Sequence, residues 1–167
     1  MNKINFPQNI PVLESENIIL KELTFEDRYD VCNIYLENQL CTSKPIDFLR
    51  EDAQKIINSI KNSEKNEECI FWSAVSRKNR KTAGIISLTS INKNKSTAFF
   101  NILTYKENYE NTILFFPAGQ ILEFCFYVMN FNEIFLNPKE KKFALYLSEN
   151  NNFIIKEKEK FFTVNKK

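Results

Sequence analysis

Apolar residues recur along the chain at two spacings, every second position or every third to fourth, and the switches between them mark the elements. Residues 16–23, with Ile18, Ile19, Leu20 and Leu23, predict a first strand closed by Thr24. Thr24-Phe-Glu-Asp27 then offers a helix N-cap with acids in the first turn. The helix would run to about Leu36, with Val31, Ile34 and Tyr35 at helical spacing. A polar break at residues 41–45 precedes a second helix over 49–61, where Ala53, Ile56, Ile57 and Ile60 share one face. After a loop at 62–68, residues 69–75 and 82–91 read as strands joined by a charged turn at 76–81, and a turn at 92–95 follows.

The stretch from Thr97 to Leu136 organises the rest. Residues 97–105 form a strand rich in β-formers, followed by the polar run Lys106-Glu107-Asn108. An apolar helix is expected from Pro117 to Met129, then a short strand over residues 133–136. A strand–loop–helix–strand unit of this size pairs its strands in parallel across the helical crossover. Its natural ligand position is the carboxyl end of the first strand, against the helix N-terminus. Asn137-Pro138 then breaks the chain and opens a helix over 140–149 with Phe143, Ala144 and Leu147 inward, and residues 150–152 offer an Asn C-cap. Residues 153–155 are a strand, and 156–164 either extend it or pair back as a hairpin. The order is β-α-α-β-β-β-α-β-α-β, an α/β (α+β) fold with a mixed, largely antiparallel sheet flanked by helices. No repeat or linker interrupts it, so residues 1–167 read as a single domain.

Composition narrows the chemistry. An apolar content of 43% with sixteen Phe supports a packed core, and a net charge of +2 gives no reason to expect a nucleic-acid or membrane partner. Histidine is absent, which removes Ser-His and Cys-His nucleophiles and imidazole metal sites. Cys32, Cys41, Cys69 and Cys125 show no C-x-x-C spacing, so no metal site is expected and a reducing cytoplasm is the expected compartment. The first residues lack an apolar signal core.

Particular residues carry a resemblance to a family. Leu13-Glu-Ser-Glu-Asn-Ile-Ile-Leu-Lys-Glu-Leu-Thr-Phe-Glu-Asp27 resembles the "LETERLILRPLTLEDA" start of the ribosomal-protein branch of the GNAT N-acetyltransferases. Ala83-Gly-Ile-Ile-Ser-Leu88 resembles its third strand, and Phe126-Tyr-Val-Met-Asn-Phe-Asn-Glu-Ile134 the end of its cofactor helix and the strand after it. Ala144, Leu147 and Phe153 fall at the spacing of its "A-x-x-L-Y-x-x-x-G-F" helix. The resemblance implies acetyl-CoA as donor and a primary amine, on a small molecule or a peptide, as acceptor. It places the pantetheine arm in a splay between two strands and the pyrophosphate on the loop before the central helix. Leu103 and Tyr105 on the strand, with Asn111, Thr112, Ile113 and Leu114 on the loop, are the residues it implies for the cofactor.

The loop departs from the family's Q/R-x-x-G-x-G/A. Tyr109 takes the Arg/Gln slot, Thr112 and Leu114 the glycine slots, and Glu110 adds negative charge beside the pyrophosphate position. Gly119 falls inside the helix, and Phe115 and Phe116 stand beside the loop where they can fill cofactor space. Phe99 or Phe100 holds the slot of the strand's catalytic Glu, and Ser148 that of the helical Tyr, with Tyr146 two residues away on another face. Ser148 and Tyr146 are the catalytic candidates, and Glu37 or Asp47 would line an acceptor pocket. These departures leave a second expectation open, an inactive GNAT-like domain serving as a binding or homodimerising module through its Phe-rich surface.

Overall fold

The computed structural model describes residues 3–38, 49–105, 112–150 and 153–166. Eight strands form one sheet: β1 (Leu13–Glu14), β2 (Ile18–Glu22), β3 (Ile70–Ser76), β4 (Thr82–Asn92), β5 (Thr97–Thr104), β6 (Glu133–Leu136), β7 (Phe153–Lys158) and β8 (Phe161–Lys166). Their spatial order is β1-β2-β3-β4-β5-β6-β8-β7. Among the described residues only β5 and β6 pair in parallel, and the crossover between them contains α3 (Phe115–Tyr127). The mixed, largely antiparallel sheet expected from the sequence is therefore present.

Alternation along the strands sends side chains to two cores. Leu20, Trp72, Ile86, Phe100 and Leu136 pack on one face under α3 and α4 (Lys141–Asn150), which add Ile121, Leu122, Phe126, Phe143 and Leu147. On the other face, Phe71 and Ile85 meet Val31 and Ile34 of α1 (Arg28–Glu37) and Ile57 and Ile60 of α2 (Leu49–Lys65). Among the described residues, the α1 and α2 helices pack over the β2–β5 half of that face. Over β5, β6 and β8 it carries an aromatic cluster instead, with Phe99 5.2 Å from Phe135 and Phe135 5.0 Å from Phe161.

Asp27 fixes the entry to α1. Its carboxylate accepts from the Thr24 N–H (2.8 Å), the Thr24 hydroxyl (3.0 Å) and the Ser73 hydroxyl on β3 (3.0 Å). Lys21 supplies the counter-charge at 3.3 Å. A buried carboxylate satisfied on this many sides ties the helix start to the sheet.

The differences from the sequence pattern have local causes. The α2 helix runs past residue 61 to Lys65, because Lys61 reaches both Glu22 and Glu64 at 2.8 Å, and Glu64 accepts from the Phe71 N–H at 3.0 Å. That clamp lashes the last turn to β2 and β3. The α3 helix begins at Phe115, after a 3₁₀ turn at Thr112–Leu114, rather than at Pro117. Pro117 is then the third residue of the helix, where a backbone N–H has no intrahelical acceptor to lose. Residues 153–166 form the hairpin β7–β8, with β8 inserted between β6 and β7. The two-residue strand β1 is too short to show a period, and the expected C-cap at Asn151 and Asn152 lies outside the described residues.

Gly84 has a packing role. An added Cβ would lie 2.6 Å from the Leu103 carbonyl oxygen and 2.7 Å from Leu114 Cδ1. The oxygen belongs to the sheet and cannot yield. Gly84→Ala should therefore cost roughly 1–3 kcal/mol, by the general cost of overpacking, and lower the urea midpoint and the melting temperature. An unchanged midpoint would mean that β4 and β5 are not this close.

Candidate functional site

The β5–β6 ladder holds four parallel pairs, from Thr97↔Glu133 to Phe100↔Leu136, and then stops. Pro138, two residues after β6, has no N–H to give and instead opens the 3₁₀ turn Pro138–Glu140. Asn137 caps that turn by accepting from the Lys139 N–H at 3.0 Å. Among the described residues, the last four of β5 therefore run on beside β4 with no strand on their other side. Backbone groups of alternate residues face the same edge of a strand. Those of Ile102 and Thr104 thus continue the edge on which Phe100 met β6.

Both positions have side-chain partners. The Ile102 N–H is directed at the carboxylate of Glu140. The Thr104 carbonyl accepts from Asn38 Nδ2 at 2.9 Å, and the same amide group donates to the Ile34 carbonyl at 2.8 Å, closing the end of α1. In front of this edge lies a cavity of about 280 Å³. Ser87, Thr89 and Asn101 form its floor, Tyr35 and Asn38 come from α1, and Lys139 and Glu140 stand at the split. Asn101 Nδ2 donates to the Thr89 hydroxyl at 3.1 Å, which fixes the floor. Burial pushes the Glu140 carboxyl up to about 7, against the opposing pull of the Ile102 N–H and the Lys139 ammonium.

A second cavity of about 510 Å³ opens beyond Thr104, between the β3–β4 hairpin and the start of α3. Tyr105, Thr104, Ile113, Leu114, Lys81 and Asp30 are among its walls. The Tyr105 hydroxyl donates to Asp30 at 3.0 Å, and burial together with that carboxylate raises its pKa.

No protein-family model and no curated protein matches the sequence. Solved structures do match in shape. A ribosomal-protein-S5-alanine acetyltransferase from Vibrio fischeri superposes with a TM-score of 0.70 at 14% identity, over 95% of this chain and 96% of that one. A nucleotide-linked sugar GNAT in its apo form gives 0.66 at 15% identity, over 95% and 90%. A spermidine N-acetyltransferase mutant from Vibrio cholerae gives 0.63 at 16% identity, over 90% and 93%. The chain has the GNAT fold.

Within that GNAT frame the expected site residues scatter. Leu103 lines the smaller cavity, while Tyr105, Ile113 and Leu114 line the larger one. Leu114 is 1% exposed and packs over Gly84, so it presents little side-chain surface to a ligand. Thr112 is exposed, and Asn111, Tyr109, Glu110 and Asp47 lie outside the described residues. Ser148 is exposed, its hydroxyl donating to the Leu145 carbonyl of its own helix at 2.7 Å. Tyr146 packs its ring on Phe115 at 5.5 Å and Phe143 at 6.3 Å, and neither Tyr146 nor Ser148 lines the two cavities. Phe115 is thereby turned toward α4 and Phe116 toward solvent, and Gly119 is buried within α3. Glu37 is half-buried on α1 and absent from the walls of both cavities. Among the described residues no group of three Cys, Asp or Glu could hold a metal ion, and no helix is long and apolar enough to cross a membrane.

Glu140 and Asn38 did not stand out in the sequence. An acid after Asn137-Pro138 reads as an ordinary first-turn charge, and nothing local shows that its turn faces the strand split.

The raised carboxyl pKa has a stability consequence with a definite sign. Glu140 holds its proton more tightly in the fold than at the ordinary value of 4.5. Protonation therefore stabilises the fold at low pH, and that contribution is lost as pH rises from 4.5 through 7. Glu140→Gln should leave stability near pH 4 almost unchanged and raise it above pH 8 by up to ~3 kcal/mol. Urea midpoints of the two proteins at those pH values test this; equal pH dependence would contradict it.

Proposed function

We propose that this protein transfers an acetyl group from acetyl-CoA to a primary amine. The observation that carries the reading is the stretch of β5 edge at Ile102 and Thr104 that no strand pairs among the described residues, set between two cavities at the point where β6 turns away. An extended chain bearing amides fits such an edge, because it can complete the pairing that β6 abandons. The larger cavity at the start of α3, with Lys81 on its wall, suits the nucleotide end of the donor. Leu103, Tyr105, Thr112 and Ile113 are the described residues proposed to flank the donor along this path, with Leu114 supporting it from the core. The matching acetyltransferases named for a ribosomal protein and for spermidine agree with an amine acceptor.

The bound donor supplies a thioester whose carbonyl carbon is open to attack by nitrogen. The chain supplies the rest. Ile102 N–H is a donor aimed into the split, where a thioester oxygen gaining negative charge would need one. Tyr35, Asn38, Ser87, Thr89 and Asn101 give the acceptor side a polar, uncharged wall. Neither the donor nor the acceptor contacts Ser148 or Tyr146 in this arrangement.

A second reading is favoured by the aromatic cluster Phe99–Phe135–Phe161 on the uncovered half of the sheet, where Phe99 is 39% exposed. In that reading the domain is catalytically silent and pairs with a second copy through this face.

Titration calorimetry with acetyl-CoA, followed by mass spectrometry of a spermidine and alanine-peptide panel, separates the two. Saturable binding with a mass gain of one acetyl group on an amine supports the transferase. Absence of heat at millimolar donor, with a concentration-dependent dimer in sedimentation, supports the silent module and overturns the transferase.

A further inference from the structure

The edge that would receive the donor is closed by the chain's own side chains. Ile102 and Thr104 are the two β5 residues whose backbone faces the split without a strand partner. Glu140 lines the same cavity as the first, its carboxylate on the side of that N–H, and Asn38 holds the carbonyl of the second at 2.9 Å. The two caps come from opposite sides, Asn38 from the end of α1 and Glu140 from the turn that opens α4. Together they offer the strand an acceptor and a donor in the same alternation that an amide chain would offer it.

Their anchorage differs. Asn38 is also tied to Ile34 by a 2.8 Å bond and sits where its helix ends, so it is fixed. Glu140 ends a single turn, and none of the described ion pairs holds its carboxylate. The charged or titratable groups lining the cavity with it are Lys139 from its own turn and Tyr35 from α1. Strands β4 and β5 contribute Ser87, Thr89 and Asn101, which carry no charge. Of the two caps, Glu140 is the one able to leave.

We infer that Glu140 is a displaceable plug over the Ile102 N–H, so that an acyl-pantetheine donor gains the β5 edge only by swinging this carboxylate out of the split. The inference rests on the acyltransferase reading and adds a control to the same site. Its pH dependence follows from proton linkage. In the closed form the carboxyl titrates near 7, and once swung into solvent it would return toward 4.5. Opening therefore releases a proton below pH 7. Acid conditions keep the plug in, and donor affinity climbs as pH rises to neutrality and then levels off.

Coenzyme A binding measured by calorimetry at pH 6 and pH 8 tests this on the wild type, Glu140→Ala and Glu140→Gln. Subtracting the Ala variant cancels the titration of the ligand's own phosphate. Relative to Ala, wild type should bind about tenfold more weakly at pH 6 than it does at pH 8. Gln, which can keep its acceptor on Ile102 but cannot ionise, should bind more weakly than Ala by the same factor at both pH values. Equal affinities and equal pH dependence in all three would overturn the plug while leaving the transferase standing. If none of them binds coenzyme A, the transferase reading fails. The plug is then judged by the amide resonance of Ile102, which should titrate with a midpoint near 7 in wild type and stay flat in both variants. A resonance unmoved in wild type would overturn it.

Discussion

The early end of the β5–β6 ladder is the constraint on which the site depends. Two parallel strands that begin in register at Thr97 and Glu133 part after Phe100 and Leu136. Proline at 138 cannot donate to a ladder, and its fixed φ suits the turn that leads into α4. The separation creates three things at once: a stretch of β5 edge capped by side chains instead of a strand, a cavity in front of it, and a turn whose last residue is Glu140. None of these needs a special loop sequence. The split is thus present with Thr112 and Leu114 at the positions where the resemblance to the family leads one to expect glycine.

Leu114 shows how a substitution at such a slot is accommodated. Its side chain does not stand in the path in front of α3. It is folded back into the core, over the one position of β4 that has no Cβ. Gly84 and Leu114 are therefore read best as a pair, the absence of a side chain at one making room for the bulk at the other. Phe115 is likewise absorbed between α3 and α4 by Phe143 and Tyr146. The backbone at the helix start is left facing the larger cavity.

Much of this was legible in the sequence, and the boundary between legible and hidden is physical. Strands and helices with a clean period, such as Thr97–Thr104, Thr82–Asn92 and Glu133–Leu136, appear where alternation placed them. Elements fixed by contacts distant in sequence were not foreseeable. The last turn of α2 depends on Lys61 meeting Glu22, a residue 39 positions away, and the parallel strand receives a hairpin partner that periodicity alone could not choose. The site divides in the same way. The strand end at Leu103 and Tyr105 follows from the pattern, but Asn38 and Glu140 gain their meaning only where α1 and α4 converge on β5. Phe99 and Phe100 make the point within one strand, since the first lies on the uncovered face and the second is fully buried.

The insertion of β8 between β6 and β7 also bears on how the chain reaches this state. While residues 161–166 are missing, β6 has β5 on one side and an open edge on the other, and β7 has no sheet to join. The hairpin must enter as a unit, its second strand docking against a strand about thirty residues earlier, after the α3 crossover has closed. Such late, non-local pairing is slow compared with helix formation. A four-residue apolar edge, Glu133–Leu136, stays exposed in the meantime. Production of the protein should thus be governed less by the stability of the finished sheet than by the interval before its last-arriving strand takes an interior seat.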